Sequence, residues 1–177
     1  MVTPKMARHK QIFQDSPAYQ AIIDLPVAST TGKPCVHLGI RCQNGFLCEI
    51  DFLHGNEPLQ PATDPLAQRV VKQLQTYFTN PDFRFDLPLK LSGTDYQRRV
   101  WRSLQAIPAG HPLHYGALAK RLKSSARAIG GACRRNPVPI VVPCHRVVAK
   151  QGIGGFGGET TGTNIDIKQW LLAHEAQ

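Results

Sequence analysis

Acidic residues are missing from residues 96–158. That window holds eleven Lys/Arg and no Asp or Glu, where an even spread of the chain's twelve acids would leave about four. A stretch emptied of acids points to a polyanionic partner, and nucleic acid leads an anionic membrane surface because no amphipathic anchor accompanies it. Long apolar runs are missing too. None approaches the roughly 20 residues that span a bilayer, and the first ten residues carry no apolar stretch of the kind a secretory signal needs. The five cysteines are odd in number and include no C-x-x-C pair, which argues against a disulfide framework. Cys35, Cys42 and Cys48 have no histidine pair to complete a zinc pattern, and no metal or cofactor is expected. Neither a G-x-x-x-x-G-K-[ST] phosphate loop nor a G-x-G-x-x-G that opens a helix after a strand is present. A reducing cytoplasm is the expected compartment, with the nucleoid in a prokaryotic cell, and a monomer the expected state.

What the chain has is a real core and an uneven charge. Hydrophobic residues at 42% and charged residues at 19% describe one globular domain or two small ones. The net charge of +9 lies entirely in the second half. Residues 1–88 carry eight Lys/Arg and eight Asp/Glu, whereas residues 89–177 carry thirteen against four. The Pro-punctuated stretch 81–91 reads as a connector, so the boundary is expected near residue 90. Residues 1–90 would be a sheet-and-helix scaffold and residues 91–177 the chemically active half.

In the first half, residues 1–17 are expected to be loosely ordered and residues 18–28 to hold a first strand. Residues 35–52 alternate apolar and polar on both sides of Asn44-Gly45, the dipeptide suited to a type I′ hairpin turn. Leu66, Val70, Leu74 and Phe78 repeat at helical spacing after Thr63-Asp64-Pro65. In the second half, Thr94 and Gln97 fit a capping box, with Tyr96, Val100, Trp101 and Leu104 as the buried stripe. A helix-turn-helix follows: residues 115–122, a turn at Lys123-Ser124-Ser125, then residues 125–135. The second of these helices contains Gly130-Gly131, each about 1 kcal/mol worse than alanine inside a helix. Close approach to another backbone or to DNA would account for that cost. Residues 152–158 form a glycine-rich lid or pocket wall, and Asn164 is positioned to cap a final helix.

The stretch from Asn136 through Pro137, Pro139 and Pro143 to Cys144-His145-Arg146-Val147 carries the chemistry. Three prolines bracket Ile140-Val141-Val142, so the approach to Cys144 is expected to be stiff and strand-like. A reactive thiol needs a base or positive potential beside it. On a strand, Cys144 and His145 would face opposite ways, so a bridging water would have to join them. A histidine base is usually oriented by a carboxylate on its other nitrogen. Of the acids Asp95, Glu159, Asp166 and Glu175, the choice is Glu175, because its helix must pack its apolar face on the core.

This segment resembles the active-site motif of the O6-alkylguanine-DNA alkyltransferases, also called methylated-DNA–protein-cysteine methyltransferases. The resemblance runs from residue 93 to residue 175. It takes in the Trp101 helix, the Ala-Arg-Ala-Ile-Gly-Gly helix, the glycine-rich loop and Trp170-Leu-Leu-Ala-His-Glu175. It implies an α+β fold, with a small ribonuclease-H-like N-terminal sheet and a C-terminal helical half containing the helix-turn-helix. It implies suicide repair: Cys144 takes the alkyl group from O6-methylguanine, and from O4-methylthymine, in double-stranded DNA after the base is flipped. His145, Glu175 and Asn136 would be catalytic, and Tyr115 would help protonate the departing guanine. Arg127 would fill the gap left by the flipped base, and Ser125, Ala126, Ala128, Gly130, Gly131, Arg134 and Arg135 would meet the minor groove. Tyr115, Cys133, Val147, Phe156 and Gly157 would line the substrate pocket, with backbone atoms at Cys144 and Val147 reading the guanine amine.

The chain departs from the family in having Gly157 where many members have serine, a longer stretch at residues 159–166, and Cys133 in a region where many carry a methionine or another apolar residue. Noncatalytic relatives replace the nucleophile with tryptophan, and Cys144 is present here. A noncatalytic helix-turn-helix DNA-binding protein is the alternative, with Cys144 merely buried, and a cysteine hydrolase stands further behind.

Overall fold

The computed structural model describes residues 18–27, 36–55 and 57–177; the expectation for residues 1–17 lies outside them, as does Cys35. Among the described residues the first half builds a three-stranded antiparallel sheet from β1 (Ala21–Asp24), β2 (Val36–Gln43) and β3 (Phe46–His54), in that spatial order. The hairpin register pairs Ile40 with Ile50 and Leu38 with Phe52. Asn44 and Gly45 both have positive φ, 52° and 78°, as a type I′ turn requires. Gly39 is needed for a different reason. A Cβ there would lie 2.5 Å from the Tyr19 ring, which packs over the strand.

Helix α1 (Pro65–Thr79) is capped by Asp64, whose carboxylate accepts from Ala67 N at 2.9 Å. Its buried stripe is Ala67, Val70, Leu74 and Tyr77, all completely inaccessible. The sequence reading placed Phe78 on that stripe. Both residues fit helical spacing, but Tyr77 points inward and Phe78 sits half-buried on the flank. The connector then runs along the edge of the sheet: Leu47 N donates to Pro88 O, and Lys90 N donates to Leu47 O.

Helix α2 (Asp95–Gln105) begins with the reciprocal Thr94–Gln97 cap and buries Val100, Trp101 and Leu104. Helix α3 (Tyr115–Arg121) and helix α4 (Ala126–Arg134) form the expected helix-turn-helix. Lys123 takes a positive φ in the turn, and Ser125 caps α4 through Ala128 N. Trp101 links the elements, since its indole N–H donates to Ala132 O at 2.9 Å and so pins α4 to α2.

The approach to Cys144 differs from the expected strand. Val142 N donates to Val138 O, and Ile140 sits at φ 73°, so residues 138–142 form a buried turn. Pro139 and Pro143 constrain the ends of this turn without extending it. Cys144–Arg146 is a single 3-10 turn leading into β5 (Val147–Val148), which pairs in parallel with β4 (Leu113–His114) just before α3. Helix α5 (Thr163–Glu175) starts after Gly162 at φ 89°, one residue ahead of Asn164. Asn164 is therefore inside the first turn, and its Oδ1 lies 3.2 Å from His54 Nε2 instead of capping the helix.

Trp101→Phe removes the hydrogen bond that pins α4 and leaves the Ala132 carbonyl without its indole donor. A loss of about 2 kcal/mol is expected in urea unfolding. Destabilisation of a few tenths of a kcal/mol would show that α4 does not depend on this tie.

Candidate active site

Cys144 lies at the head of the 3-10 turn and is 6% exposed, on the wall of a cavity of about 700 Å³. Asn136, just past α4, holds it from one side. The Asn136 amide donates to Val142 O at 2.7 Å and to Cys144 Sγ at 3.2 Å, while its oxygen accepts from Val138 N at 3.1 Å. One side chain thus fixes the turn and touches the sulfur.

His145 is completely buried, and its Nε2 lies 2.9 Å from Glu175 Oε1. An ionised carboxylate only accepts, so Nε2 carries the hydrogen and neutral His145 keeps its lone pair on Nδ1. That Nδ1 is the one buried side-chain N or O atom without a hydrogen-bond partner among the described residues. Buried polar atoms are rarely left so, and such an exception marks a place where chemistry is expected.

Glu175 is surrounded by donors. Arg146 closes on it as a fork, Nε to Oε2 at 2.9 Å and Nη2 to Oε1 at 2.7 Å, while Arg146 Nη1 reaches Ile107 O. Tyr77 adds its hydroxyl to Oε1 at 2.7 Å. Burial pushes the Glu175 carboxyl up, but the bonds from His145 and Arg146 outweigh it and hold the group at about 2. For His145 the balance runs the other way. Burial lowers its basicity and outweighs the bond to Glu175, so the imidazole rests neutral. Burial also raises the Cys144 thiol above its ordinary value, against smaller opposing effects of Asn136 and Lys168. Both shifts favour the uncharged pair, thiol and neutral imidazole.

Tyr115, the first residue of α3, is delivered to the cavity by the β4–β5 pairing. Its hydroxyl donates to Gly155 O at 3.3 Å, and burial keeps the phenol well above its usual range. Cys133, Gly130, Gly131, Arg134, Phe156 and Gly157 also line this cavity. Phe156 packs on Phe52 of β3 with centroids 5.7 Å apart. Gly157 has φ 60°, and a Cβ there would press on the Asn164 amide at 3.0 Å. The loop is a turn-built wall: Phe156 and Glu159 exchange both backbone hydrogen bonds.

Val147 does not line the cavity. It is completely buried in β5, and its carbonyl accepts from Lys168 Nζ at 2.7 Å. Of the remaining predicted residues, Ser125, Ala126, Arg127, Arg134 and Arg135 are exposed along α4 and its two caps, and Ala128 is half-buried. The glycine pair is not explained by internal packing. A Cβ at Gly130 would meet nothing within 4 Å, and one at Gly131 only the Arg135 guanidinium at 3.8 Å.

Two residues of this site escaped the sequence reading. Lys168 is completely buried, donates to Val147 O and to Gly155 O at 3.0 Å, and lies 5.7 Å from the Tyr115 ring centroid. Burial lowers its ammonium to about 8. The available signal was position: Lys168 falls seven residues before Glu175, two helical turns along the same face. Tyr77 was hidden behind Phe78 on the helical stripe. No group of three or more His, Cys, Asp or Glu among the described residues is placed to hold a metal ion.

Glu175 has a consequence for stability. Its carboxyl is held at about 2 against an ordinary 4.5, which corresponds to about 3 kcal/mol of folding free energy. A depressed carboxyl stabilises above its unfolded value, so the full contribution is present above pH 4.5 and is lost as pH falls toward 2. Urea midpoints of the wild type and Glu175→Gln should differ most above pH 4.5 and converge below it. A pH-independent gap would mean that Glu175 is not held ionised.

Comparisons with known proteins align with this geometry. The family model described as 6-O-methylguanine DNA methyltransferase, DNA binding domain, matches residues 95–177. A methylated-DNA–protein-cysteine methyltransferase of Mycolicibacterium paratuberculosis is 46% identical over 108 residues, covering 59% of this chain and 62% of that one. The match to the enzyme of the same name from Methanosarcina acetivorans is 41% over 135 residues, covering 71% and 83%. The chain thus spans less than two thirds of the Mycolicibacterium relative and most of the Methanosarcina one. Among solved structures, the crystal structure of Mycobacterium tuberculosis OGT in complex with DNA superposes with a TM-score of 0.72 at 34% identity, over 90% of this chain and 93% of that one.

Proposed function

The chain belongs to the methylated-DNA–protein-cysteine methyltransferase family, and on that premise we propose that it repairs DNA by taking the alkyl group of O6-methylguanine, and of O4-methylthymine, onto Cys144. The observation that carries this reading is the bare Nδ1 of His145, one residue from a cavity-lining thiol and aligned through Nε2 by a buried carboxylate. A merely structural cysteine would have no use for that arrangement.

Cys144 Sγ attacks the alkyl carbon in one displacement. The sulfur–carbon bond forms as the carbon–O6 bond breaks, and the electron pair of the broken bond stays with guanine. The thiol proton passes to His145 Nδ1 through a water, and Glu175 stabilises the imidazolium. Tyr115 supplies a proton to the departing base and its phenolate is reprotonated through solvent by the His145 imidazolium, so the thiol hydrogen is balanced by the one gained on guanine. Atoms and charge balance without a cofactor, and the thioether product ends the protein's activity after one event. Asn136 holds the sulfur and the turn together throughout. The cavity of about 700 Å³ is large enough for a purine extruded from the duplex.

The flipped base arrives along α4. The open space beside Gly130 and Gly131 supports a close backbone approach to a groove, with Ser125, Ala126 and Ala128 as small neighbours. Arg127 stands at the exposed start of α4 and would enter the stack as the base leaves, and Arg134 and Arg135 at its end would meet phosphates. Residues 91–177 form the DNA-binding and alkyl-acceptor half on this reading, and residues 1–90 the supporting half. The protein would act as a monomer in the cytoplasm, with the nucleoid in a prokaryotic cell.

Mass spectrometry after incubation with duplex DNA bearing O6-methylguanine should find one added methyl on the peptide containing Cys144. Unmodified peptide beside intact lesion would overturn the function. Cys144→Ala should abolish transfer while keeping DNA affinity. That affinity should fall linearly on a log–log plot against salt.

Arg127→Ala should slow transfer from duplex at least about tenfold more than transfer from a free O6-substituted guanine, because only the duplex reaction requires flipping. Equal losses would remove Arg127 from that role. The single-turnover rate should fall on the acid side as His145 takes a proton. Burial places that limb below pH 6.5.

A further inference from the structure

We propose that Tyr77, on α1 in the N-terminal half, is a positioning residue of the active site: its hydroxyl sets how strongly Glu175 holds the His145 imidazole. The proposal rests on the function assigned above and gives the N-terminal half a chemical part in it. Tyr77 lies 98 residues from Glu175 in sequence, is completely buried, and donates to Glu175 Oε1 at 2.7 Å. The same oxygen receives His145 Nε2 at 2.9 Å and Arg146 Nη2 at 2.7 Å, whereas Oε2 receives Arg146 Nε. A carboxylate oxygen has two lone pairs, so three donors at Oε1 share its charge and each reduces what the others feel.

The backbone of Tyr77 is tied to the same place. Its carbonyl accepts from His174 Nε2 at 2.8 Å, so both polar ends of residue 77 meet consecutive residues of the last turn of α5. The ring is held by Phe85, Phe78 and His174, with centroids 5.4, 6.0 and 5.2 Å away. These contacts fix where the hydroxyl points. The charged and titratable groups around Glu175 are Tyr77 from α1, His145 and Arg146 from the 3-10 turn, and His174 on its own helix. Lys168, also on α5, acts on His145 from further off.

The sign of the effect follows from the sharing. Without the phenol, more of the carboxylate charge falls on the Nε2–H of His145, which favours the imidazolium. A base that holds its proton at higher pH is withdrawn from service earlier on acidification. Tyr77→Phe keeps the ring and removes only the donor. Replacing Tyr77 with 3-fluorotyrosine keeps the shape and strengthens the donor.

The test is the pH dependence of single-turnover methyl transfer from O6-methylguanine duplex to Cys144. Relative to wild type, the acid limb should move up by about half a unit in Tyr77→Phe and down in the fluorotyrosine protein. A purely structural tyrosine would lower the melting temperature of Tyr77→Phe and leave both limbs where they were. Unmoved limbs beside a reactive wild type would therefore overturn the assignment. If Tyr77→Phe does not fold, the fluorotyrosine protein alone decides: a downward shift supports the assignment and an unmoved limb overturns it. A wild type that leaves Cys144 unmodified would instead overturn the function, and the assignment with it.

Discussion

Removing a carboxylate from water costs several kcal/mol unless donors replace its hydration, and the centre of this molecule is organised by how Glu175 meets that demand. Its four hydrogen bonds come from Tyr77 on α1 and from His145 and two nitrogens of Arg146 on the 3-10 turn, so they tie two other elements to its own helix. Each of those elements must arrive for the charge to be tolerated. The C-terminal end of α5, the 3-10 turn and the inner face of α1 are consequently held in one geometry. The acid-poor second half keeps one carboxylate at its core, and there it stabilises the fold and orients the proposed base through the same contacts.

Much of this was legible in the sequence because it rests on local rules. Asn44-Gly45 made its type I′ turn, Thr94 and Gln97 made their reciprocal cap, and Ser125 capped α4, since short-range hydrogen bonds and positive φ decide each of these. The choice of Glu175 followed from packing logic, and it does lie against His145. The failures came where tertiary context outweighs local preference. Three prolines suggested an extended approach to Cys144, yet Ile140 accepts φ 73° inside a buried turn because Val138, Ile140 and Val142 are all fixed in the core. Tyr77 and Phe78 satisfy the same helical period, and only the presence of Glu175 across the core selects between them. Lys168 was unreadable for a similar reason. A buried lysine is rare, and the two carbonyls that make it possible come from β5 and from the glycine-rich loop.

The cavity shows how the two halves divide the work. Its floor and one wall are built from the 3-10 turn, α3 and α4, while Phe52 of β3 supports Phe156 from behind and His54 meets Asn164 beside it. The N-terminal hairpin thus braces the glycine-rich wall, and α1 braces the carboxylate. The glycine pair of α4 lines the cavity too, with open space where a Cβ at Gly130 would stand. The site is supported from within by the first half and left accessible along the basic helix, as entry of a base from a duplex would need.

The neutral state of the Cys144–His145 pair has a further consequence, for chemical durability. Peroxides and free alkylating agents react with thiolates far faster than with thiols, and Cys144 rests as a thiol, 6% exposed, with burial opposing its ionisation. Under the proposed function the sulfur reacts once, and a chance encounter with the wrong electrophile would be final. On that function, a proton held on sulfur until a base fills the cavity would make reactivity conditional on the correct guest, and the pool of unreacted molecules would persist in a cell that contains both the lesion and the reagents that cause it.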